Sequence, residues 1–158
     1  MQSRHRIWGR PRGRKKRRAL VLIIVTLGLV AALGLCGITM DIGHICVAQS
    51  ELQRSADAGV LAAVGVMEGA YDPNGTSIPY YVACNARDEA VKFVEMNPCR
   101  GKTLSMPENE SNAPSGDLVL GHYTSATDTF DPYSTKYNSV ELFVRRDATQ
   151  NGSLPLIF

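Results

Sequence analysis

The chain of 158 residues lacks the short motifs that mark most catalytic sites. It has no P-loop, no dinucleotide-binding glycine fingerprint, no nucleophile elbow and no His-Glu-x-x-His run. Such motifs place backbone amides, nucleophiles or zinc ligands where chemistry needs them. It also lacks any Cys-x-x-Cys pair, which removes the usual zinc and thioredoxin-like arrangements. His44 stands close to Asp41 and Cys46, but a metal site needs at least one more ligand in good geometry. The acidic pairs Asp88-Glu89 and Glu108/Glu110 fall on a helix face and a polar loop, where solvated surface is the default. The expectation is a protein that is not an enzyme and that uses no cofactor and no metal.

Three other absences are more informative. No acidic residue occurs in the first eighteen positions, no charge between Ala19 and Met40, and no proline between Ala19 and Met67. The first eighteen residues carry nine of the seventeen Lys and Arg, while the remainder holds eight basic and fifteen acidic residues, a balance of −7. A basic arm of this kind could bind nucleic acid. Here it directly precedes an apolar run, and cationic residues at that position act as a topology signal. Arg14, Lys15, Lys16, Arg17 and Arg18 are therefore read as cytoplasmic, in contact with the lipid bilayer, and no nucleic-acid partner is expected.

At a rise of 1.5 Å per residue, the twenty-two residues from Ala19 to Met40 reach roughly 33 Å as a helix, enough to cross a hydrocarbon core of about 30 Å. Signal-peptide apolar regions run only about 7–15 residues and end at a small-x-small site, which does not follow here. Leu33-Gly34-Leu35-Cys36 is a poor lipoprotein signal, because Leu35 occupies the place of a small residue. Gly13 is a poor prepilin site, because Arg18 stands where a glutamate is wanted. The reading is an inner (cytoplasmic) membrane protein of one span, with everything beyond Met40 extracytoplasmic.

Beyond Asp41 the helix pattern continues to about Gly69. Ile42, Ile45, Leu52, Ala56, Gly59, Ala63 and Val66 follow a 3/4 spacing broken only by Gln49, and Ser55, Gly59 and Ala63 recur every fourth residue. Small residues so spaced let another helix approach closely, either one of the same domain or one of another chain. The helix-packing candidates are Asp41, Leu52, Ser55, Ala56, Asp57, Gly59 and Ala63. Asp41 is either a partner for another subunit's cation or a boundary residue, and Asp57 either a capping or pairing carboxylate or an exposed charge.

After the turn Asp72-Pro73-Asn74-Gly75, a second helix is expected from Tyr81 to Met96. Val82, Ala86, Ala90, Phe93 and Val94 form its apolar face, Arg87, Asp88, Glu89 and Lys92 lie outside it, and Asn97-Pro98 ends it. From Leu118 the period becomes two, with strands at Leu118–Tyr123 and Ser139–Arg145, a short one near Thr129-Phe130 and a turn at Asn151-Gly152. The fold class is thus α+β: one membrane helix continuing into a long amphipathic helix, then a small helix with an antiparallel hairpin or meander. The expected divisions are a basic tail 1–18, a span 19–40, a helical continuation 41–69 and an α+β region 70–158.

On the extracytoplasmic side thiols can oxidise. Cys46, Cys84 and Cys99 are disulfide candidates. A fully helical path from Cys84 to Cys99 would span about 22 Å, beyond disulfide reach, so pairings with Cys46 stay open, including an intermolecular one. Asn74, Asn109 and Asn151 each begin a glycosylation triplet.

The block Ala19–Met67 resembles the N-terminal region of TadG-like proteins of the Flp (tight-adherence) pilus assembly system. Met40-Asp41-Ile42-Gly43 is similar to the span exit of that family, and Gln49 to Ala63, with the core Ser55-Ala56-Asp57-Ala58-Gly59, to its helix. The resemblance extends weakly to Ala86, Ala90 and Asn97, to Gly121-His122-Tyr123, Phe130 and Asn138-Ser139-Val140, and to Leu154-Pro155-Leu156. In that family the chain continues past this point, so the 70–158 region need not be a complete domain. The resemblance implies a membrane-anchored structural component of a Flp-type pilus or secretion apparatus, with other pilus-assembly subunits or copies of itself as partners along the long helix. The alternative is a membrane-tethered binding or sensor module unrelated to pili.

Overall fold

The computed structural model describes residues 13–70 and 77–157, with side chains from residue 19 onward. The side chains of Arg14, Lys15, Lys16, Arg17 and Arg18, the turn expected at residues 72–75 and the Asn74 triplet lie outside the described residues. Two helices, α1 (Gly13–Glu68) and α2 (Tyr80–Met96), precede three strands, β1 (Leu118–Thr124), β2 (Thr129–Asp131) and β3 (Ser139–Leu142). The fold is α+β. The strands form one antiparallel sheet in the order β2-β1-β3. The chain divides into two compact units, Met1–Ile42 with Ile157–Phe158, and Gly43–Leu156.

In the first unit, the apolar part of α1 has little of its own chain over it. Its large side chains from Leu20 to Met40 stand open, Leu22 at 69% and Leu35 at 66%. It belongs to the one helix among the described residues that is long and apolar enough to cross a membrane. Its two threonines hide their hydroxyls by bonding back along the helix, Thr26 to the Leu22 carbonyl and Thr39 to the Leu35 carbonyl, each at 2.8 Å. Such internal bonding lets a polar side chain sit in lipid with its donor satisfied.

The second unit is built on a close approach of α1 to α2. From α1 the buried positions are Ala48, Ser55, Gly59, Ala63 and Met67. From α2 they are Val82, Ala83, Ala86, Arg87, Ala90 and Val94. Both faces are rich in residues no bigger than alanine, so the two backbones approach closely. At Gly59 an added Cβ would stand 2.9 Å from Val94 Cγ2, 3.0 Å from Leu142 Cδ1 and 3.1 Å from the Ala90 carbonyl oxygen. Ile78, Cys99, Leu104, Met106, Leu118 and Leu120 complete the core.

The sheet covers this core with alternate residues. Leu118 pairs with Leu142 and Leu120 with Val140, so all four point to one side, and all belong to or pack on the core cluster. Gly121 is required by β2: a Cβ there would fall 2.3 Å from the Phe130 ring and 2.8 Å from the Asp131 carbonyl. The bare backbone at Gly121 is what lets the aromatic ring cross the strand.

Three expectations are corrected. The buried face of α1 in the second unit starts at Ala48, whereas Ile42 and Ile45 remain 57% and 44% exposed; the stripe through them leads to Gln49, one position past the face that meets the core. On α2, Arg87 is buried and Phe93 is exposed. Position 87 lies one turn after Ala83 and one turn before Ala90, inside the arc toward the core. Finally, β3 ends at Leu142. Because β1 begins at Leu118, the ladder runs out after Phe143 donates to the Asp117 carbonyl at 2.7 Å.

Two helical glycines of the second unit, Gly59 and Gly65, offer opposite tests. Gly59→Val overpacks the helix contact and should destabilise the protein by about 1–3 kcal/mol. At Gly65 an added Cβ meets nothing within 4 Å, so Gly65→Ala should stabilise by about 0.5–1 kcal/mol through helix propensity. Thermal melts of the full chain in detergent check both signs.

Candidate functional site

The residues singled out in the sequence lie along α1, and the structure sorts them by what they touch. Ser55, Gly59 and Ala63 are buried on the side that faces α2. Ser55 donates its hydroxyl to the Val94 carbonyl at 3.1 Å, one of the carbonyls left without a helical partner at the end of α2. The Asn97 N–H reaches the same oxygen at 3.1 Å, and the Asn97 side chain caps the Phe93 carbonyl at 2.8 Å. Leu52 packs on the core edge, and Ala56 is half-buried. Asp57 is exposed and accepts from Gln53 Nε2, one turn earlier on the same helix, at 2.8 Å. Asp41, in the first unit, is 7% exposed and accepts from the Ile157 N–H at 2.8 Å.

A tight turn after α2 docks on the same helix. Cys99 and Lys102 exchange backbone hydrogen bonds at 3.0 Å around Arg100 and Gly101, both in the left-handed region at φ 49 and 73. Glu51 accepts from the Arg100 N–H at 2.6 Å, and the Cys99 thiol points at the Ala48 carbonyl, 3.6 Å away. Arg146 closes the turn from the other side, donating to the Cys99 carbonyl at 2.8 Å. Glu51, which falls outside the apolar stripe, is therefore a structural acceptor.

All four cysteines are free thiols: Cys36 and Cys46 exposed, Cys84 half-buried, Cys99 buried. Cys84 lies one turn after Tyr80, and their hydrogen bond is the main cause that raises the Tyr80 hydroxyl above its ordinary pKa of 10.0. His44 is exposed, and His122 directs Nδ1 at the Lys136 carbonyl, 3.0 Å away, so Nδ1 carries the proton in that bond. Among the described residues no three His, Cys, Asp or Glu side chains are grouped to hold a metal ion.

Asparagine side chains hold the loops to the sheet and to one another, a role that composition does not reveal. Asn112 accepts from the Leu120 N–H and donates to the Leu120 carbonyl, both at 2.8 Å. Asn138 does the same to Tyr123 at 2.7 and 3.0 Å, and Asn151 to Ser105 at 2.8 and 3.1 Å. A carboxamide offers one acceptor and two donors, so it can take the place of a neighbouring strand for a single residue. Asn109, Asn112 and Asn151 lie in the left-handed region, at φ 50, 53 and 62, which asparagine tolerates better than most residues. The Asn109 amide is committed to the Ala113 and Leu118 carbonyls at 2.9 and 2.7 Å, so the amide nitrogens of two of the three glycosylation triplets are engaged in the fold.

Asn112 has a second duty. Arg87, 3% exposed, reaches its Oδ1 at 3.1 Å through Nη2, while Arg87 Nε has no partner among the described residues. Asp117 and Arg145 form an ion pair at the start of β1. Asp147 accepts from the Thr149 hydroxyl and from the Thr149 and Gln150 N–H groups. These bonds, the hydroxyl's first, hold its carboxyl below the ordinary 3.8.

Removing the Asn112 carboxamide should leave the Leu120 backbone groups and the buried guanidinium unmet. Asn112→Ala is expected to destabilise by at least about 1–3 kcal/mol, with amide exchange accelerated first at Leu120. A denaturant melt with exchange detected by mass spectrometry measures both.

Against known proteins, a family model for Flp pilus-assembly TadE/G-like sequences matches residues 20–67. The match begins one residue into the apolar run and ends one residue before the last residue of α1. No curated protein and no solved structure matches the chain.

Proposed function

We propose that this protein, with its TadE/G-like N-terminal region, is a single-pass, membrane-anchored structural component of a Flp-type pilus or secretion apparatus. The observation that carries the proposal is the coincidence of the family match with one continuous helix, apolar and uncovered over its first part and packed into a folded unit over its last. On this reading the uncovered part sits in the inner membrane, with the basic residues 14–18 on the cytoplasmic side by the positive-inside rule. The Gly43–Leu156 unit then lies outside and meets other pilus-assembly subunits. Its contribution is mechanical: it presents a small domain on the outer side of the membrane and carries out no catalysis.

The stripe Ser55–Gly59–Ala63 is occupied by α2, so contacts with other subunits would use a different face of α1. Between Asp57 and Glu68 that face holds Leu61, at 73% exposure, and Gly65.

Deleting the gene in a host that carries the pilus ATPase and membrane-platform genes should abolish pili or surface adhesion, and restoring it should bring them back. Normal pili and adhesion in the deletion strain would sink the proposal. Orientation has its own test in the thiols. In spheroplasts a membrane-impermeant maleimide should label Cys46 while sparing Cys36 in the span; labelling of Cys46 only after lysis would reverse the topology.

A further inference from the structure

Between Ala19 and Ile42 only two positions are buried, Gly37 and Asp41. They stand one turn apart and so share one face of the helix. Asp41 accepts the backbone N–H of Ile157 at 2.8 Å, across 116 positions of sequence. The apolar side chains around this contact are open: Ile38 at 50%, Met40 at 59%, Ile42 at 57% and Ile157 itself at 61%. A backbone N–H enters an apolar medium at a cost of several kcal/mol unless it is bonded. Here the donor of Ile157 already has a carboxylate acceptor, and Pro155 two positions earlier has no N–H to satisfy.

We infer that Ile157 is a second point of membrane contact, with its side chain in the interfacial layer of the outer leaflet and its backbone tethered there by Asp41. The occupant of this open apolar surface is lipid, because the surface is continuous with the uncovered run from Leu20 to Met40 and, among the described residues from Ala19 to Ile42 and at Ile157, Asp41 is the one charged side chain. The inference rests on the reading of that run as a membrane span. The aspartate at the span exit thereby gains a defined role, satisfying a backbone donor at the edge of the hydrocarbon.

The test is tryptophan fluorescence of the full chain in phosphatidylcholine vesicles with brominated acyl chains, in a Trp8→Phe background. Ile157→Trp should emit blue-shifted light that is quenched by lipid brominated near the headgroup. Leu29→Trp should be quenched by lipid brominated deep in the chain. Adding Asp41→Ala should abolish the Ile157→Trp quenching and leave that of Leu29→Trp intact. Asp41→Asn, which keeps the acceptor oxygen, should preserve both. An unquenched Ile157→Trp beside a quenched Leu29→Trp overturns the inference alone, as does quenching that survives Asp41→Ala. Loss of both signals overturns the anchoring reading and the inference together.

Discussion

The close approach of α1 to α2 at Gly59 is the constraint on which the folded unit depends. The absent side chain at Gly59 places Val94, Ala90 and Leu142 within contact distance of one backbone position. The last part of α1, the second helix and the edge strand therefore meet at a point where no atom could be added without movement. The flanking positions follow from it. Ser55 has to be small to fit, and its hydroxyl then finds the end of α2. Ala63 and Met67 continue the seam to the end of the helix. Packing this dense gives low tolerance for volume change and a single preferred register between the helices.

Much of this arrangement is readable from spacing. The fourfold recurrence of Ser55, Gly59 and Ala63 signals a close helix partner, and Ala86, Ala90 and Val94 supply a matching face. Spacing says that a partner comes close but not whose helix it is, and the structure assigns that stripe to α2. The α+β class and the three strands follow from the change of period at Leu118. The ends of elements are less legible: β3 stops where β1 offers no further backbone groups, a fact about the partner strand that its own alternation cannot carry. Arg87 shows a different limit. A charged residue next to Asp88 and Glu89 reads as surface, and only the amide of Asn112, twenty-five positions away, gives it a buried place.

The asparagines generalise that point. Asn109, Asn112, Asn138 and Asn151 look like ordinary turn residues, and three of them do sit at left-handed backbone positions. The side chains of Asn109, Asn112 and Asn138 nevertheless bond to backbone groups of β1, so a small three-stranded sheet is extended at its margins by carboxamides instead of by further strands, while Asn151 ties the Ser105 and Arg145 segments together. The local part of their role, the turn, is written in the sequence around them. The distant part depends on where the sheet falls.

Cys99 has a consequence for the lifetime of the protein in an oxidising setting. Its sulfur lies inside the core against the Ala48 carbonyl, under the turn that Arg146 closes. Thiol–disulfide exchange requires a thiolate that an incoming disulfide can reach in line. The packing of Cys99 removes that access, so its oxidation requires the core to open before the surrounding oxidant can act. The buried thiol acts as a record of whether the core has opened: a molecule that stays folded keeps Cys99 reduced, and one that has opened and been trapped carries the change covalently.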